Sequence, residues 1–344
     1  MHQGCYTALI TPFKDQAVDW AGLEKLIDFQ LANGTAGLLA VGTTGESPVM
    51  TWDEHNQVIE TVAKKCKGKS YCIAGTGSNN TKEAMEGTAE AAKAGVNAVL
   101  LVEPYYNGPS SLEIRREYIA PIAKAFPNLE VIPYVIPGRT GTQIYPEDLA
   151  ILNREFPNVH TVKEATGDMF NIRRTRAVCG PDYEIFSGDD GVTLEMILDP
   201  EVKSIGAISV MSNIAPKAYS ELVRLALEGK TEAAKTLDLK LKPLNDLVTF
   251  KTKETTPYGE VVFRARNPLP VKAMFDILGV FPGECRRPLG KLTPKAGEVV
   301  LKALQDVNRE APEILAPLGD FFGVDIDARL NDKNALKTIC YENY

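Results

Sequence analysis

The run Asn158-Val159-His160-Thr161-Val162-Lys163-Glu164-Ala165-Thr166-Gly167 reads as a short buried strand that ends in a lysine, followed by a glycine turn. A period of two puts Val159, Thr161 and Lys163 on one face. The amine then points the way the apolar residues before it point. Desolvation of an ammonium there lowers its pKa. A lysine that is neutral part of the time attacks carbonyl carbon and can form a Schiff base. The plain alternative is a lysine whose stem lies on apolar surface while its head reaches water at the rim.

The elements that must position Lys163 follow from periodicity. Short apolar runs alternate with helical segments from residue 5 to about residue 228. The strands are read at Cys5–Ile10, Gly37–Val41, Tyr71–Ala74, Ala98–Val102, Val131–Val135, Val159–Lys163, Tyr183–Ser187 and Ser204–Ser209. Each is followed by a helical pattern, such as Trp20–Asn33 with Asp19 as N-cap, and Pro146–Glu155 with proline in its first turn. Strand–helix alternation implies a parallel sheet, and eight such units in roughly 225 residues predict a (β/α)8 barrel. An open doubly wound sheet would carry a Gly-rich turn after its first strand, where this chain has Thr11-Pro12-Phe13. Residues 1–229 are therefore read as the barrel and 230–344 as a helical C-terminal domain with an extended tail. The stretch Lys251–Pro270 is read as a polar interruption without strand-like alternation.

A barrel of this kind places its chemistry at the C-terminal ends of the strands. Gly42-Thr43-Thr44-Gly45-Glu46-Ser47, Gly75-Thr76-Gly77, Glu103-Pro104-Tyr105-Tyr106-Asn107, Pro137-Gly138-Arg139-Thr140-Gly141 and Gly188-Asp189-Asp190 follow successive strands, with Tyr134 near the end of the fifth. An amine, phenols, hydroxyls, a guanidinium and Gly-rich turns thus converge on one rim. The set suits a carbonyl substrate that bears a carboxylate. Lys163 attacks the ketone, and main-chain N–H groups at Thr43 and Thr44 hold its carboxylate where a glycine turn lets backbone approach. A tyrosine moves protons, and Arg139 grips a second carboxylate. Taken singly, the tyrosines could be packing, Arg139 a solvated charge and Asp189-Asp190 a helix cap.

The bulk properties exclude several other classes. The chain has 344 residues, 24% charged and 44% hydrophobic, which is ordinary for a soluble globular protein. A net charge of −7 with no basic stripe argues against nucleic-acid binding. No apolar run reaches membrane-spanning length. Six cysteines without a CxxC pair, and three histidines, predict no metal site, free thiols and a cytoplasmic protein.

The ordered motifs carry a resemblance. They are Thr11-Pro12-Phe13, GTTGES at Gly42, AGTGSN at Ala74, PYYNGPS at Pro104, YVIPGRTG at Tyr134, KEATGD at Lys163, SGDD at Ser187, GAISVMSN at Gly206 and NPLPVK at Asn267. With these the chain resembles the dihydrodipicolinate synthase family of the class I Schiff-base aldolases, which includes N-acetylneuraminate lyase. The resemblance implies condensation of pyruvate with L-aspartate 4-semialdehyde, the step that opens diaminopimelate and lysine biosynthesis, without metal or organic cofactor. Lys163 then matches the Schiff-base lysine and Tyr134 the proton-passing tyrosine. Thr44 matches the threonine that links it to a second tyrosine, Tyr106, supplied by a neighbouring subunit. Thr43 and Thr44 match the pyruvate-carboxylate site, Arg139 the receiver of the semialdehyde carboxylate, and Gly188 and Ile208 wall positions beside the lysine. A homotetramer, a dimer of dimers, is implied.

A second polar cluster stands beside this set. Trp52 and His55 share a helix face, Asn79 and Glu83 surround the next helix start, and Ser47 and Tyr105 lie in adjacent rim loops. Glu83 suits an ammonium, Asn79 and Tyr105 a carboxylate, and Trp52 an aliphatic stem or a cation–π contact. Ser47, His55, Asn79, Glu83 and Tyr105 match the family's lysine-site positions, and Trp52 a position that is also Trp in the plant-type enzymes. Inhibition by L-lysine is the implied consequence. The chain departs from the pattern at Val135, where many members have asparagine, in the longer connection Lys251–Arg266, and past Val307. The alternatives are a sibling aldolase for a sialic or 2-keto-3-deoxy sugar acid, and an inactive barrel with a binding role.

Overall fold

Eight parallel strands close into a barrel in the computed structural model, which describes residues 1–344. In chain order the strands are β1 (Gly4–Ala8), β2 (Phe13–Lys14), β3 (Ala17–Val18), β4 (Gly37–Ala40), β5 (Tyr71–Gly75), β6 (Ala98–Val102), β7 (Glu130–Val135), β8 (Thr161–Glu164), β9 (Glu184–Ser187), β10 (Gly206–Ser209), β11 (Thr249–Thr256) and β12 (Gly259–Arg266). Strands β4 to β10 pair in sequence, and β1 closes the ring by pairing with both β4 and β10. The fold is a (β/α)8 barrel followed by a mainly helical C-terminal region. No helix is long and apolar enough to cross a membrane.

Two cores hold it. Ten side chains fill the barrel interior, among them Tyr6, Leu39, Ile132, Tyr134, Phe186 and Ile208. A second cluster of 80 buried residues packs strands against helices and runs on into the C-terminal region, through Phe275, Leu292, Val300 and Leu304. Local chemistry sets the helix boundaries. Thr51 and Glu54 form a capping box at the start of Trp52–Cys66. Helix Thr81–Ala94 ends at Gly95, whose φ of 79° suits a residue without a Cβ.

The lysine strand starts later than its pattern suggested, at Thr161. Val159 lies before it, in a turn closed by its own N–H to Phe156 O, and packs with the helices. Thr161 donates to Glu130 and also bonds Glu184. The inward face below Lys163 is therefore polar at its base. The desolvation of the amine comes from neighbouring strands and not from its own.

The stretch read as a polar interruption is a β-hairpin. β11 and β12 pair antiparallel from Thr249↔Arg266 to Thr256↔Gly259. Both faces are partly wet, so no continuous apolar stripe marked it. The signals that remained were threonine richness and the Pro257-Tyr258-Gly259 turn. Buried Glu254 anchors the hairpin by accepting from Thr293 Oγ1 at 2.8 Å, at the start of helix Pro294–Glu310. The preceding helix, Thr231–Asn245, stops four residues before the hairpin begins. The tail contains two further short helices, Ala316–Phe322 and Ile326–Leu330.

Candidate active site

Lys163 is the polar member of an interior layer. The register sets Tyr134 of β7 beside Lys163 of β8, and Lys163 beside Phe186 of β9. Neighbours in register point to the same side, and both aromatics belong to the interior cluster. The amine lies 4.3 Å from the centroid of the Tyr134 ring, and Lys163 is 3% exposed. Burial pulls its pKa down to about 7, with the Arg139 charge adding to the drop and the Asp190 carboxylate opposing it. Gly188 makes room: a Cβ there would sit 3.0 Å from Lys163 Cε and 3.1 Å from its Cγ. Ile208 on β10 is fully buried in the same interior.

Tyr134 is pushed up to about 12 by burial, opposed by Arg139, Arg266 and a hydrogen bond with Thr43. Its phenol therefore stays protonated at neutral pH and enters chemistry as a donor. Thr43 and Thr44 open a one-turn 3-10 helix, Thr43–Gly45. Their amides are the first of that turn and have no acceptor within it. The Thr44 hydroxyl accepts from Asn267 Nδ2 at 2.9 Å.

Arg139 sits in a short helix, Pro137–Thr140, closed by Gly141 at φ 73°. Its Nη2 donates to Asn267 O at 2.9 Å. Burial lowers its pKa to about 10, and the charges of Arg266 and Arg264 add to the drop. Glu103 holds this loop: its carboxylate accepts from Ile136 N at 2.9 Å, Thr140 Oγ1 at 3.0 Å and Ile144 N at 2.8 Å. Desolvation nonetheless raises the Glu103 pKa to about 7.

Three contributors had no role in the sequence reading. Asn267 joins Thr44 to Arg139, and its motif NPLPVK was visible without revealing what the asparagine touches. Glu103 positions Arg139. Glu46, the acid of GTTGE, forms a buried pair with Lys272. A contact between residues 46 and 272 leaves no local periodicity to find.

Tyr106 is not part of this constellation within one chain. It is 90% exposed, at φ 85°, and projects from the loop after β6. The second polar set is only partly assembled. His55 Nε2 lies 3.2 Å from Ser47 Oγ, and the Trp52 and His55 rings meet edge to face at 5.1 Å. Burial pulls the His55 pKa down to about 4, so its ring is neutral at pH 7. Glu83 accepts from Ser78 Oγ at 2.7 Å, and its charge adds to the burial that raises the Tyr105 pKa. Asn79 is exposed. A cavity of about 220 Å³ joins the two sets, with Ser47 and Tyr105 lining it together with Thr43, Tyr134 and Arg139.

At the opposite end of the barrel, Glu130, His160 and Glu184 bring ligand-type atoms within 4.8 Å of one another. The Met1 ammonium lies there, 2.5 Å from Glu184.

Residues 1–307 match the model of the dihydrodipicolinate synthetase family. The 4-hydroxy-tetrahydrodipicolinate synthase of Methanococcus maripaludis is 38% identical over 305 residues, 89% of this chain and 98% of that protein. The solved 4-hydroxy-tetrahydrodipicolinate synthase of Methylacidiphilum fumariolicum superposes with a TM-score of 0.83 at 35% identity, covering 92% of this chain and 99% of that one. The dihydrodipicolinate synthase of Cyanidioschyzon merolae, solved with lysine bound, gives 0.80 at 32% identity, with 90% and 99% covered.

Proposed function

Since this chain belongs to the dihydrodipicolinate synthetase family, we propose that its barrel mouth condenses pyruvate with L-aspartate 4-semialdehyde through a Schiff base on Lys163. The observation that carries this is the buried, pKa-depressed amine against the Tyr134 ring. The neutral amine adds to the pyruvate ketone carbon, and loss of water gives the iminium. Loss of a C3 proton gives the enamine, whose carbon attacks the aldehyde. The amino group of the new chain then closes the ring on C2 and releases Lys163. Tyr134 hands protons to and from the nitrogen and oxygen during these steps. The first amides of the Thr43–Gly45 turn hold the pyruvate carboxylate, and Gly188 and Ile208 form the wall beside the reacting carbon.

Arg139 favours this reaction over a sugar-acid aldolase. It is half-buried and has no carboxylate within ion-pairing distance. The semialdehyde brings one, whereas a neutral sugar aldehyde leaves the guanidinium unpaired. The test is incubation with pyruvate, borohydride reduction and location of the adduct by mass, with turnover on the semialdehyde compared with that on sugar acids. An adduct off Lys163, or preference for a sugar acid, would overturn this reading.

Tyr106 acts, in this reading, in the site of a second copy, within a homotetramer of cytoplasmic chains. Residues 1–229 supply the catalytic barrel and residues 230–344 a second unit. A phenol left 90% exposed on a positive-φ loop residue supports the assignment, since little of it is covered by its own chain. Tyr106→Phe and Lys163→Ala chains, each nearly inactive alone, are expected to regain activity when mixed into hybrid oligomers. Hybrids that form and gain nothing count against it.

L-Lysine is the proposed inhibitor, at Ser47, Trp52, His55, Asn79, Glu83 and Tyr105. Support comes from the Ser47–His55–Trp52 contacts and from the lysine-bound relative. Saturable, partial inhibition is expected, weakened in Glu83→Ala while pyruvate trapping is retained. Inhibition that is absent at millimolar lysine, or unchanged in Glu83→Ala, refutes it.

A further inference from the structure

The hairpin that interrupts the C-terminal helices delivers charge to the mouth of the barrel. Arg266, the last residue of β12, donates from Nη1 to Gly138 O at 3.1 Å. Its Nη2 lies 3.7 Å from where a Cβ on Gly138 would stand. Gly138 immediately precedes Arg139, and Asn267, which immediately follows Arg266, bonds both Arg139 and Thr44. Two guanidiniums therefore meet at the Gly138-Arg139 loop, Arg139 on the loop itself and Arg266 on the hairpin beside it. Neither has a carboxylate within ion-pairing distance. Burial lowers the pKa of both, and the Arg266 charge adds to the drop at Arg139. Arg266 is also close enough to Tyr134 to pull the phenol pKa down against burial.

Holding like charges together costs free energy unless an anion is the intended third member. Gly138 O satisfies one N–H of Arg266, and the rest of its planar fork of five donors remains for a ligand. We propose that Arg266 is a second substrate-binding residue, gripping with Arg139 the carboxylate of the incoming aldehyde, and that it sets the preference for an anionic over a neutral acceptor. This rests on the reading of the barrel mouth given above.

The test separates the two. Arg266→Gln retains a donor for Gly138 O and loses the charge; Arg266→Lys retains the charge. Borohydride trapping of pyruvate and KM for pyruvate are expected to stay at the wild-type level in both variants. KM for the semialdehyde is expected to rise roughly tenfold or more in Arg266→Gln, the loss of one charge-assisted contact, and less in Arg266→Lys. The salt dependence of that KM should flatten in Arg266→Gln alone. An unchanged semialdehyde KM in Arg266→Gln overturns the inference, and so does an equal rise in Arg266→Lys, which would make the residue a brace for the Gly138 loop. A wild-type chain that traps pyruvate on Lys163 and ignores the semialdehyde overturns the parent reading and this inference together. One that turns over the semialdehyde with Arg266 indifferent overturns the inference alone.

Discussion

Lys163→Ala is expected to abolish borohydride-trappable pyruvate and to lower turnover by at least roughly 10³-fold, the scale of removing a covalent nucleophile. The barrel should remain folded, because the interior layer keeps Tyr134, Phe186 and Ile208. Trapping that persists, or moves to another lysine, sinks the assignment. In the wild-type chain the rate of iminium formation should climb as pH rises through about 7, where the buried amine loses its proton. Stability supplies an independent readout. The folded pKa of about 7 lies below the ordinary value of 10.5. Between those values the unfolded chain binds more protons, so this group's contribution rises with pH. Its cost is full below pH 7 and vanishes above the ordinary lysine value. A Lys163→Met chain is therefore expected to resist denaturant better than wild type, with the larger gain at pH 6 and a smaller one at pH 9. A gain that is equal at both values, or absent, would show that the amine is not held at a desolvation cost.

The second large effect is expected at Lys272. Its side chain is 1% exposed and paired with Glu46, which is equally buried. The ammonium also donates to Glu284 O at 2.8 Å and lies 3.9 Å from the centroid of the Phe13 ring. The other Glu46 oxygen accepts from Arg286 N at 2.9 Å. Lys272→Met leaves a buried carboxylate without its counter-charge, a change of about 3–5 kcal/mol in unfolding free energy. Pairing it with Glu46→Gln should recover much of that loss, because the buried charge is gone. Denaturant titrations of both variants check this. A single variant within about 1 kcal/mol of wild type, the range of exposed ion pairs, would contradict it. Glu46 closes the Thr43–Gly45 turn at φ 59°, so the single variant should also weaken pyruvate binding.

Much of this architecture was legible in the sequence, and the reason is local. Strands such as Tyr71–Gly75 and Ala98–Val102 are short apolar runs bounded by helices with recognisable caps, and the barrel follows from repeating that unit. Lys163 and Tyr134 stood out through company, because the strand ends around them also carry hydroxyls, a guanidinium and glycine turns on one rim. The hairpin Thr249–Arg266 did not, since a strand pair wet on both faces has no apolar alternation. The environment of Lys163 was also misjudged. Its own strand offers Thr161 among carboxylates, and its dryness comes from β7 and β9, which no reading of β8 reveals. The bonds of Asn267 to Thr44 and Arg139, and of Glu103 to the loop that carries Arg139, are of the same kind. They are set by tertiary proximity and not by spacing.

The bond from Asn267 to Thr44 spans 223 residues, and that gives the chain a timetable. A nascent polypeptide that has reached Leu227 already contains the lysine, the tyrosine and every barrel strand. Its substrate turn and its Arg139 side chain still lack the contacts that Asn267 makes to both. Residues 228–267 must emerge before Asn267 can fasten them, a matter of a few seconds at about 5–20 residues per second. Barrel closure and readiness for catalysis are thus separate events in the life of each molecule. The second waits on a segment that contributes nothing to the barrel wall.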